Sequence, residues 1–168
     1  PNDLTPIKPE VLFEAGNMMS DATGFCGWAP AVSLLSAGSD FVAEPLVPFW
    51  ATSAAAGMAG HFMGRMQSAR PDLWPETHRA LAVDSARWPE PIRKKFIGKG
   101  AHWKTGSKGE KQQFLREFGY GVPDIARAIL SAANDATLVA QAEIQPFAVG
   151  ADGRSGVFNE MHFYDLPW

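Results

Sequence analysis

The 168 residues carry 46% hydrophobic and 20% charged side chains, enough apolar material for one packed domain of ordinary size and too much for general disorder. A formal net charge of −3 gives no global reason to expect nucleic acid or an anionic membrane as partner, and no segment approaches the ~20 apolar residues of a membrane span. The one cysteine, Cys26, excludes an internal disulfide and a cysteine-based zinc site; the lack of disulfides is compatible with the cytoplasm.

Residues 9–14, PEVLFE, read as a short strand with Val11, Leu12 and Phe13 apolar, closed by Ala15-Gly16-Asn17. Residues 18–45 mix Gly, Ser, Pro and Asp without a steady period and read as loop with brief strand pieces. Residues 53–68 read as a helix that stops at Arg70-Pro71. Its glycines, Gly57, Gly60 and Gly64, each cost about 1 kcal/mol against Ala, so close approach of neighbouring backbone is expected and the helix should be buried. Residues 75–86 give the clearest helical pattern: Pro75 suits the first helical position, Glu76 suits the positive end of the dipole, and Ala80, Leu81 and Val83 supply an apolar face.

Residues 89–97 suggest a further turn or two of helix, followed by the polar, basic stretch GKGAHWKTGSKGE. A helix over 109–118 ends at Gly119, Gly119-Tyr120-Gly121 forms a turn, and Pro123-Asp124 opens a helix to about Ser131. Residues 136–146 and 157–165 read as strands. There is no internal repeat and no low-complexity tract. The start, PNDLTPIKPE, shows no signal pattern. Without Met, and with a hydrophobic ending in HFYDLPW, the chain reads as a piece of a longer protein.

Ser53 begins the small-residue helix in FWATSAAAGMAG (49–60). A serine there has an unpaired backbone N–H at the positive end of a helix, where a developing oxyanion would be held. The same position also suits a plain N-cap at Thr52 or Ser53. The surrounding residues add to that choice. ATSAAAGMAG resembles the nucleophile segment of subtilisin-like serine proteases, Gly-Thr-Ser-x-Ala-x-Pro: Ser53 matches the nucleophile, Thr52 the preceding Thr and Ala55 the Ala, while Ala51 replaces the first Gly and Gly57 the Pro. IKPEVLFEAG (7–16) resembles the family's Lys-Pro-Asp-Val-x-Ala-Pro-Gly segment, with Glu10 replacing Asp. ARPDLWPETHRALAVDSA (69–86) and FGYGVPDIARAILSA (118–132) are similar to the helix after the central helix and to the last helix of the catalytic domain.

The resemblance implies an α/β fold, mostly parallel sheet with helices on both faces. Residues 1–133 would form the C-terminal portion of a catalytic domain and residues 134–168 the start of a C-terminal β extension, as in some bacterial members. It implies a serine endopeptidase acting on polypeptide without a cofactor, with Ser53 as catalytic nucleophile, its N–H in the oxyanion hole and Thr52 against substrate.

All four histidines, His61, His78, His102 and His162, follow Ser53. In subtilisin the triad histidine precedes the serine by roughly 150 residues, and the oxyanion asparagine by about 66. The triad Asp and His and that asparagine therefore have no counterpart in these residues, and the chain alone should be inactive. His61 stands eight residues along the helix, about 12 Å from Ser53, where a base must lie at about 3 Å. His78 falls among polar positions and is expected to be solvated. No histidine pair has metal-ligand spacing. The expected partners are a missing N-terminal half or a second copy. The alternative class is a non-catalytic degenerate module for binding or assembly, supported by Ala51 and Gly57.

Two further patterns suggest other functions. His162 follows Cys26 by 136 residues, but GFCGWAP lacks the papain-type surroundings, and a free cysteine is ordinarily a small buried hydrophobe. Residues 93–111 hold seven basic residues with Phe96 and Trp103, a composition that could bind single-stranded nucleic acid. A solvated loop in an acidic chain accounts for it without such a partner.

Overall fold

The computed structural model describes residues 7–97, 106–133, 139–151, 153 and 156–165. By backbone contacts the chain divides into two compact units, Pro1–Leu138 and Val139–Trp168.

The first unit opens with two short hairpins. Strands β1 (Met18–Ser20) and β2 (Cys26–Trp28) pair antiparallel, as do β3 (Leu34–Ala37) and β4 (Leu46–Phe49). The β1–β2 turn is set by Asp21, whose carboxylate accepts the Thr23 and Phe25 N–H groups at 2.8 and 3.0 Å. Five helices follow: α1 (Thr52–Ala69), α2 (Pro75–Ser85), α3 (Glu90–Ile97), α4 (Lys108–Phe118) and α5 (Ile125–Ala132). Local chemistry sets their bounds. Pro75 is the first residue of α2, Ser107 and Glu110 form a reciprocal capping box on α4, and the Asp124 side chain accepts the Arg127 N–H at 2.8 Å to start α5.

The core lies where α1, α2 and α5 meet. Met66, Leu73, Leu81, Ala82, Ala128 and Ala132 are buried there. A second cluster forms where Phe114 of α4 meets Trp88 edge-on, with centroids 5.0 Å apart, and Trp88 Nε1 donates to the Gly119 carbonyl at 3.0 Å. The buried Ser85 hydroxyl donates to the Ala82 carbonyl and accepts the Asp124 N–H at 3.2 Å, tying α2 to the start of α5.

Several sequence expectations are corrected. Among the described residues every ladder is antiparallel and two-stranded, and there is no parallel sheet. Residues 9–14 form no strand: among the described residues no strand lies beside them to complete a ladder, and the Leu12 N–H donates to the Gly121 carbonyl and the Tyr120 N–H to the Glu10 carbonyl, each at 2.8 Å. Helix α1 is buried on one face only, through Ala54, Phe62 and Met66. Among the described residues nothing lies within 4 Å of a Cβ built at Gly57, Gly60 or Gly64, so no close backbone contact is seen there to offset their helix cost. Cys26 is exposed on β2.

In the second unit, β5 (Phe147–Val149) and β6 (Gly156–Phe158) form an antiparallel hairpin, with the Phe147 and Phe158 rings 5.3 Å apart. The expected strand over 136–146 is absent from 139–146; residues 134–138 lie outside the described residues. The ladder begins immediately after Pro146, which has no N–H to contribute. The expected strand over 157–165 is confined to β6, so His162 lies beyond it, exposed.

Candidate active site

Helix α1 is delivered by β4 and fixed by residues 14–17. The Ala51 N–H donates to the Ala15 carbonyl at 2.8 Å, and the Asn17 N–H to the Val32 carbonyl at 2.7 Å. Gly16, at φ 76°, lies beneath Trp50: a Cβ there would stand 3.2 Å from the Trp50 Cβ and 3.3 Å from the Val32 carbonyl oxygen. This clamp sets the direction in which the chain enters the helix.

Ala51 is the N-cap, with φ 74° and ψ −174°. That region is essentially reserved for glycine and costs ~1–3 kcal/mol for a residue with a Cβ. It is also the position where Ala51 replaces the Gly of the Gly-Thr-Ser pattern. The substitution therefore sits on a backbone conformation that only glycine adopts freely.

Thr52 and Ser53 are the first two helical residues, and both are exposed. The first intrahelical bond runs from the Ala54 N–H to the Ala51 carbonyl at 3.0 Å, while Ala54 itself is buried and anchors the turn. Among the described residues the Thr52 and Ser53 N–H groups find no acceptor. The Ala51 side chain contributes no cap, so these donors and the positive end of an 18-residue helix face solvent beside the Ser53 hydroxyl. An oxyanion formed at Ser53 would meet its own N–H directly.

Among the described residues no base is brought to this serine. His61 is exposed eight residues further along α1. His78 is buried at 2% exposure, contrary to the expected solvated position: Nε2 donates to the Arg70 carbonyl at 3.0 Å, so the imidazole closes the turn between α1 and α2. His162 belongs to the second unit, and His102 lies outside the described residues. Among the described residues no three His, Cys, Asp or Glu side chains are grouped to hold a metal ion, and no helix is long and apolar enough to cross a membrane.

The Glu10 that replaces the family's Asp has a partner that sequence reading did not identify. The Arg79 Nε lies 3.0 Å from both carboxylate oxygens, and Lys8 Nζ lies 3.2 Å from Oε1. The Arg79 hydrogen bond holds the Glu10 carboxyl below its usual range against the opposing effect of partial burial. At the α1–α2 turn Arg70 makes a bidentate pair with Asp72, at 2.9 and 2.8 Å, and also donates to the Ala132 carbonyl at the end of α5. That pair draws the Asp72 carboxyl down to about 2. The Glu10–Arg79 pair had no local signal, because its two residues stand 69 apart in sequence; Arg70 and Asp72 stand only two apart, on the turn after α1.

No curated protein and no solved structure matches this sequence. The sequence model of the peptidase S8 group, described as the subtilase family, matches residues 1–121. That span contains the clamp, the strained Ala51 and the exposed Ser53 at the head of α1, and on it the chain belongs to the subtilase family.

Proposed function

We propose that residues 1–133 are the C-terminal portion of the catalytic domain of a subtilisin-like serine endopeptidase, and that Ser53 is its nucleophile. The observation that carries this reading is Ser53 itself: exposed, on the first turn of α1, with its own N–H and that of Thr52 unpaired among the described residues. Ser53 Oγ would attack the scissile carbonyl as its proton passes to a histidine supplied from outside these residues. The tetrahedral oxyanion would be held by the Ser53 N–H, and collapse would leave an acyl-enzyme and release the amine; water then hydrolyses the ester. Thr52 would lie against the bound polypeptide, and residues 134–168 would begin a β extension.

The partner in this reading is the N-terminal half of the same catalytic domain. Met18, Phe25, Trp28, Leu35, Phe41 and Leu46 are all exposed on the segments before α1, Phe41 at 78%. Apolar exposure on that scale marks an interface. Self-association is the default when the half is absent. A second reading, a non-catalytic subtilase module, is favoured by one observation: Ala51 occupies a glycine-only conformation at the nucleophile turn. Peptide hydrolysis by the complete parent polypeptide decides between the two. Turnover that disappears in Ser53→Ala supports the endopeptidase; a folded parent with its own Asp and His motifs and no turnover supports the module.

A further inference from the structure

The clamp that delivers Ser53 carries two side chains that the chemistry of that serine does not use. Glu14 is exposed, and its Oε1 accepts the Gly16 N–H at 3.1 Å, which holds the carboxylate at the turn. Trp50 stands against the same glycine: its Cβ is 3.2 Å from the point a Gly16 Cβ would occupy, and the residue is still 43% exposed. A carboxylate and an indole are thus anchored on Gly16. Between Glu14 and Gly16, the Ala15 carbonyl accepts the Ala51 N–H at 2.8 Å, and Ser53 follows Ala51 by two residues, within ~7 Å along the chain. The charge of Glu14 is unmatched. Among the described residues it forms no ion pair, and Lys8, the nearest cation in sequence, is taken by Glu10. Between Lys8 and Arg65 the sequence holds five carboxylates, at Glu10, Glu14, Asp21, Asp40 and Glu44, and no lysine or arginine.

We propose that Glu14 and Trp50 bind a basic side chain of the polypeptide substrate, arginine in preference to lysine, one or two residues from the scissile bond. The proposal rests on Ser53 being the nucleophile. A guanidinium suits this pair of groups: the carboxylate accepts from its N–H fork, and the indole face attracts its delocalised charge. A compact ammonium gains less from the ring, which sets the order. A polypeptide whose carbonyl reaches Ser53 passes beside this turn. Residues one and two positions from that carbonyl lie about 3–7 Å along an extended chain, a span comparable with that from Ser53 back to Ala51.

The test uses the complete parent polypeptide and internally quenched peptides with arginine, lysine, norleucine or glutamate at one of the two positions on either side of the scissile bond. At one of these positions kcat/KM for arginine should exceed that for norleucine about tenfold, with lysine between them. Glu14→Gln keeps an oxygen for the Gly16 N–H and should lower the arginine-to-norleucine ratio about fivefold. Trp50→Leu should lower it about threefold and bring arginine down to lysine. Glu14→Lys should reverse the preference, so that glutamate is cleaved faster than arginine. Glu117→Gln removes the same charge from an exposed position on α4 and should leave the ratio within twofold. A parent that is labelled at Ser53 by a phosphonate and cleaves peptides, yet prefers arginine at none of the four positions, would overturn this proposal alone. Equal loss of the preference in Glu14→Gln and Glu117→Gln would do the same. A folded parent with neither hydrolysis nor label would overturn both this proposal and the assignment of Ser53.

Discussion

Replacing Ala51 by glycine should stabilise this chain, although glycine at most positions destabilises. Ala51 sits at φ 74° and ψ −174°, with its N–H bonded to Ala15 and its carbonyl accepting the first bond of α1, so the conformation is held from both sides. Release of the Cβ conflict is worth ~1–3 kcal/mol. Against this, glycine widens the unfolded ensemble, at a cost of ~0.5–1 kcal/mol. Ala51 is exposed, so little buried area is lost with the methyl group. The net gain is ~0–2.5 kcal/mol, centred on about 1. For a chain of 168 residues each kcal/mol moves Tm by ~2–4 °C, which gives a rise of up to ~10 °C. Thermal unfolding followed by circular dichroism at the helical band measures it, with Ala51→Val as the opposite control: a β-branched residue at this φ should lower Tm. A fall in Tm for Ala51→Gly would show that Ala51 is unstrained and would remove the physical argument that this turn is built for glycine.

Three further outcomes are expected. Gly121→Ala should cost ~3 kcal/mol or more and lower Tm by at least ~6 °C: Gly121 has φ 103°, and an added Cβ would press into the Arg87 carbonyl, disrupting the Arg87–Val122 bridge. Asp72 is held at about 2 by Arg70. Because this folded value lies below the unfolded value of ~3.9, the pair's contribution is present above pH ~4 and is lost as pH falls towards 2. The urea midpoint of Asp72→Asn should therefore lie below that of the parent chain at pH 7 and converge with it at pH 2, by a small margin since the pair is solvent-exposed. The purified 168-residue chain should show no peptide hydrolysis, measured with a fluorogenic peptide; turnover abolished by Ser53→Ala would mean that a base exists within these residues.

The helices were legible because their signals are local. Pro75 opens α2 and Gly119 closes α4, both as expected, whereas the Ser107–Glu110 capping box is a local signal that the sequence reading did not use. The strands were less so. The apolar run at Val11–Phe13 satisfies a strand pattern, yet a ladder needs a neighbour, and pairing is decided by segments far apart in sequence. The burial of His78 was illegible for a related reason: its acceptor is the Arg70 carbonyl, exposed by the C-terminal turn of a different helix. The glycines of α1 misled in the other direction. Small residues in a helix imply a close neighbour, and the described residues place none against Gly57, Gly60 or Gly64. At the candidate site the Thr52-Ser53 pair and its helix start were readable from the residues alone. The strain at Ala51 was foreshadowed by Ala standing where the family pattern has Gly, but only the backbone dihedrals give it a magnitude.

The most direct test of the central claim is treatment of the complete parent polypeptide with an active-site-directed phosphonate, followed by mass mapping of the adduct. A single phosphonylated residue, Ser53, is expected, with labelling abolished by Ser53→Ala. A folded parent that carries no label on Ser53, or that is labelled on another serine, would contradict it.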